Sequence, residues 1–74
     1  MDITAIRIKE LRIFRGLTQQ TIADYLKMDR GNYSKYERGI FEFSLEMIRK
    51  LSKLFGVTSD YLLGLSDDFS PKED

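Results

Sequence analysis

Apolar residues in this chain recur at intervals of three and four, and no run alternates with period two long enough to predict a strand. The pattern predicts five helices. The first spans about 3 to 15, with Ile8, Leu11 and Arg12 on one stripe and Gly16 as its stop. The second, about 19 to 26, follows Thr18, whose hydroxyl can accept from free first-turn amides, and turns Ile22, Ala23 and Leu26 inward. The third, about 30 to 37, is capped by Asp29 and stopped by Gly39. The fourth, about 45 to 55, starts at the Ser44 cap and ends at Gly56. Its apolar set is Leu45, Ile48, Leu51 and Phe55, widened by Met47 and Leu54. A short fifth helix, about 59 to 63, lies between Thr58 and Gly64. The expected fold is all-α. Residues 1–66 form one domain, and 67–74 form a polar, acidic, flexible tail.

The second and third helices are both short and are joined by about three residues, from Leu26 to Asp29. A turn of that length makes two helices cross steeply. Their closest approach needs a small side chain, and Ala23 stands there. Met28, Tyr33 and Tyr36 have the spacing to lock the third helix down, so the two tyrosines are read as packing beneath it rather than as base-stacking rings. Its exposed face is left with Arg30, Gly31, Asn32, Ser34 and Lys35, a set of donors, small groups and cations suited to base edges and phosphates in a major groove.

The run Leu17-Thr18-Gln19-Gln20-Thr21-Ile22-Ala23-Asp24-Tyr25-Leu26, followed by Tyr33-Ser34-Lys35-Tyr36-Glu37-Arg38-Gly39, resembles the Xre/Cro-type helix-turn-helix family of phage-repressor-like regulators. The resemblance covers about 7 to 65 and includes Leu11-Arg12 and the segment from Gly56 to Gly64. It implies a compact five-helix lambda-repressor-like domain that binds double-stranded DNA as a homodimer in the cytoplasm. The implied role is transcription regulation, more often repression, through a palindromic operator. It implies that Gln19, opening the second helix after Thr18, clamps a phosphate with its amide and the free backbone N–H groups. Arg30, Gly31, Asn32, Ser34 and Lys35 fall at recognition positions, with Arg30 matched to guanine and Asn32 to adenine or a phosphate. Arg38 falls near the DNA backbone. Arg12 and Glu37 match a structural ion pair between the first and third helices. Two departures stand out. Lys27 replaces the usual turn glycine, and loop 40–43 (Ile40-Phe41-Glu42-Phe43) is apolar and acidic where the family carries cations and a proline.

Charge adjusts this picture modestly. The 74 residues carry no net charge, which is discouraging for a nucleic-acid binder. The distribution is uneven: residues 57–74 hold one lysine against five acidic residues, a net of −4, and residues 1–56 hold eleven basic against seven acidic, a net of +4. A basic body with an acidic end fits one face turned to phosphate. The acidic cluster Asp67, Asp68, Glu73 and Asp74 reads as a solvated tail rather than a cation site. There is no cysteine and no histidine, which excludes Ser-His-Asp and Cys-His catalysis and zinc fingers. No phosphate loop or nucleophile–base pair is present, so no enzyme, metal, cofactor or small-molecule effector is expected. The longest apolar runs are two or three residues, too short for a membrane span.

One group fits no core position. Ile6 and Ile13 lie nearly opposite Ile8 and Leu11 on the first helix, with Phe14 beside them. Two accounts compete. In the one favoured, the C-terminal segment with Leu65 and Phe69 folds back over the stripe. In the other, the stripe is a dimer or partner surface, and Phe41 and Phe43 pose the same question at the far end. Such surfaces would also suit an alternative role, a protein-interaction module such as an antitoxin or a modulator of another regulator.

Overall fold

The computed structural model describes residues 2–68, and among them it contains five helices and no strand. They are α1 (Ile3–Phe14), α2 (Gln19–Leu26), α3 (Arg30–Glu37), α4 (Leu45–Phe55) and α5 (Ser59–Leu63). α2 packs on α3, α1 lies against both α3 and α5, and α4 also meets α5. None of these helices is long and apolar enough to cross a membrane.

Local chemistry explains where the helices start. Thr18, Asp29, Ser44 and Thr58 hold extended backbone, and each side-chain oxygen accepts from the N–H three residues ahead. That bond satisfies a donor with no partner in the first turn. Asp2 does the same for α1, from the N–H of Thr4 at 3.1 Å.

The helix ends share one device. The N–H groups of Leu17, Met28, Ile40, Val57 and Leu65 each reach back five residues, to carbonyls of Arg12, Ala23, Lys35, Ser52 and Asp60 at 2.9–3.1 Å. This closure needs a left-handed residue just before the donor. Four of the five are glycine, and the fifth is Lys27, at φ 58° and ψ 48°. The turn between α2 and α3 therefore keeps the geometry a glycine would give. The cost to a residue with a Cβ is about 1–2 kcal/mol.

The core joins Ala5 and Ile8 of α1, Ile22, Ala23 and Leu26 of α2, and Tyr33 of α3 with Met47, Ile48, Leu51 and Phe55 of α4. Val57 and Leu62 close it. Burying each large apolar side chain contributes about 1.5–3 kcal/mol.

Four sequence expectations need correcting. α1 stops at Phe14, and Arg15 is already its cap. Leu45 is 65% exposed while Met47 is buried, because Leu45 stands about 60° beyond Ile48 on the side away from Leu51. Phe43 is not a partner surface: it is 6% exposed and packs edge-on against Tyr33, with centroids 6.4 Å apart. Leu65 does not cover the stripe on α1. It is 74% exposed, and Ile6, Ile13 and Phe14 are exposed as well. Phe69, Glu73 and Asp74 lie outside the described residues.

Candidate nucleic-acid interface

α3 is divided by its own periodicity into a gripping face and an open face. Tyr33 and Glu37, four residues apart, are buried. Arg30, Gly31, Asn32 and Arg38 are exposed, and Ser34 and Lys35 are half-buried at the edges. The exposed set places two guanidiniums and one carboxamide along a single short helix and its end, with the ammonium of the half-buried Lys35 at the edge.

The gripping face is electrostatic as well as apolar. Arg12 reaches from α1 and donates to both Glu37 oxygens, from Nε at 2.7 Å and from Nη2 at 3.0 Å. Its third bond goes to the Leu17 carbonyl at 3.0 Å. Tyr33 Oη donates to Glu37 Oε2 at 2.6 Å, and Gln19 Nε2 donates to Oε1 at 3.1 Å. The Glu37 side chain is only 1% exposed, so four donated bonds replace the water it has lost. The effects on its acidity oppose one another. Burial pushes the carboxyl up, while bonds from Arg12, Tyr33 and Gln19 and the Arg12 charge pull it down further, to a net value below the ordinary 4.5. Arg12 is raised in turn, first by its bond to Glu37. Burial, then the bond to Glu37, raises the Tyr33 phenol well above its ordinary range.

This network changes the place of Gln19. Its side-chain nitrogen is turned onto Glu37, inside the fold, rather than standing free at the start of α2. The backbone N–H groups of Gln19 and Gln20 are in the first turn, where a helix offers them no acceptor of its own. Thr18 Oγ1 is occupied twice, by the Thr21 amide at 3.1 Å and the Thr21 hydroxyl at 3.0 Å.

Loop 40–43 is held to α3 by rings. Tyr36 meets Phe41 and Phe43 with centroids 5.4 Å apart in both cases. Lys35 Nζ lies 5.5 Å from the centre of the Phe41 ring, a cation–π spacing that steadies the ammonium beside the open face. The loop thus positions a cation of α3 instead of supplying its own.

Two basic residues that sequence patterns did not single out act as clasps. Arg7 donates to the carbonyls of Tyr61 and Ser66 at 2.6 and 2.7 Å and to Asp67 Oδ1 at 2.8 Å, with its guanidinium 4.2 Å above the Tyr61 ring. Arg15 donates to the carbonyl of Phe55. Their partners lie 40 to 60 residues away, so no local spacing signals them.

Comparison with known proteins places the architecture. The chain is 44% identical over 57 residues to the SPbeta prophage-derived uncharacterized HTH-type transcriptional regulator YonR of Bacillus subtilis, covering 77% of this chain and 53% of that protein. It is 40% identical over 68 residues to the HTH-type transcriptional regulator ImmR of the same organism, covering 92% of this chain and 53% of ImmR. It is 35% identical over 51 residues to the cryptic phage CTXphi transcriptional repressor RstR of Vibrio cholerae, covering 69% and 46%. The chain thus spans about half the length of the curated relatives it matches. No solved structure matches it significantly. The helix-turn-helix family model matches residues 8–62, from the middle of α1 into α5, and the chain belongs to that family, in its Xre/Cro-like branch.

Proposed function

We propose that this chain is the DNA-reading module of a transcription regulator, acting as a homodimer on a palindromic operator and more often as a repressor. One observation carries the reading: α3 is clamped through Tyr33 and Glu37 while Arg30 stands exposed at its first turn, Asn32 and the half-buried Lys35 lie on its other side, and Arg38 is exposed just beyond its end. A helix held this way enters a major groove with its first residues at the base edges. Arg30 pairs with a guanine, and Asn32 with an adenine or a phosphate. Ser34 and Lys35 complete the recognition positions, and Arg38 stands near the DNA backbone. Gly31 leaves one position facing the bases without a side chain. Thr18 and Gln19 contribute the first-turn N–H groups of α2, which suit one phosphate. The relatives' names, HTH-type transcriptional regulators and a phage transcriptional repressor, support the same assignment.

The test is selection of bound sequences from a random DNA pool. An enriched palindrome with half-sites one helical turn apart is the expected result. Arg30→Ala and Lys35→Ala should each weaken binding to it by about 1–3 kcal/mol. Wild-type affinity in both variants would sink the assignment. The exposed Ile6, Ile13 and Phe14 favour a second reading, docking of another protein on α1. A stable heteromeric complex together with no enriched DNA would put that reading first.

A further inference from the structure

We propose that Asp29 is a specificity-determining residue whose carboxylate accepts from the exocyclic amine of a cytosine in the major groove. The inference rests on the DNA-reading role given above to α3. Asp29 is exposed at the leading end of α3, the end that goes deepest into the groove. Only half of its carboxylate is used inside the fold: Oδ2 accepts from the Asn32 backbone N–H at 2.9 Å, and among the described residues no group donates to Oδ1.

Gly31 leaves room beside that carboxylate. A Cβ on residue 31 would stand 3.1 Å from Asp29 Oδ2 and 3.9 Å from its Cγ. A side chain there would crowd the oxygen that accepts from the Asn32 backbone N–H, so the bare position lets Asp29 keep its cap with Oδ1 left over.

Chemistry then selects the base. A carboxylate can only accept, and next to phosphates it is unfavourable unless a donor meets it. Major-groove edges offer two donors, the cytosine N4 amine and the adenine N6 amine. Adenine sets its N7 acceptor beside that amine, against the carboxylate, whereas cytosine has no acceptor there. Guanine and thymine present acceptors alone. Asp29 thus works as much by rejecting three bases as by favouring one.

Wild type, Asp29→Asn and Asp29→Ser should be taken through the same random-pool selection, after circular dichroism has shown equal helicity. Both substitutes cap helices as well as aspartate does, so a purely structural Asp29 would leave base preference unmoved. The expected result is one position per half-site that holds cytosine in the wild type by about fivefold or more. That position should turn to adenine with asparagine, which can pair with both N6 and N7, and lose its preference with serine. Identical preferences in all three proteins would overturn the proposal, as would a position that follows residue 29 but holds another base in the wild type. Failure of the wild type to enrich any sequence would instead overturn the DNA-reading role itself.

Discussion

Glu37 concentrates the energetics of this molecule in one side chain. Its carboxyl is held below the ordinary 4.5 because donated bonds outweigh burial. A group with a depressed folded value stabilises fully above its unfolded value and loses that contribution as pH falls through the folded one. Stability should therefore hold from neutral pH down to about 4.5 and then decline. Glu37→Gln should flatten that acid limb in unfolding experiments while lowering stability at neutral pH. Tyr33 gives the opposite limb. Its phenol is raised above 10.0 in the fold, so its contribution is intact below 10.0 and is lost as pH climbs past it. Tyr33→Phe should remove this alkaline loss. Arg12→Ala should be the most damaging single change, about 3–5 kcal/mol in denaturant titration, because it leaves a buried carboxylate without its cation.

The helix ends allow a controlled comparison among elements. Gly56 and Gly64 are both left-handed, at φ 67° and 80°. A Cβ at 56 would meet nothing within 4 Å, but one at 64 would stand 2.6 Å from Ile3 Cγ2. Gly56→Ala should thus cost about 1–2 kcal/mol for conformation alone. Gly64→Ala should cost measurably more, with a correspondingly lower melting temperature, because α5 can no longer seat against Ile3 of α1. Lys27→Gly should go the other way and raise stability by up to about 1 kcal/mol, since the turn is already left-handed there. These elements show what was legible in the sequence. Caps and stops depend on a few neighbouring residues, so Thr18, Asp29, Ser44 and Thr58 reveal their helices directly. The exposure of Gly31 and Asn32 follows from the period of α3, and that of Arg30 from its place at the helix start. Phe43, Arg7 and the inward turn of Gln19 were not legible. Each depends on a partner set by tertiary packing: the ring of Tyr33, the carbonyl of Ser66, the carboxylate of Glu37.

At the scale of the whole molecule, neutrality hides a division. Eleven cations lie within residues 1–56, and several of them are spent inside the fold, on Glu37, Asp67 and backbone carbonyls. Four of those that remain, Lys27, Arg30, Lys35 and Arg38, lie on and around α3. The logarithm of the binding constant should fall linearly with that of salt concentration, by about 0.9 per phosphate neutralised. Arg38→Ala should make the line shallower by about one unit without changing the selected sequence. The clamp on α3 has one more consequence. α3 is held through Glu37 by α1, by its own Tyr33 and by the start of α2, so it is already braced without DNA. Encounter with an operator should then be a meeting of preformed shapes. Calorimetry should find a heat-capacity change set by the surface covered alone, without the extra decrement that accompanies folding on binding.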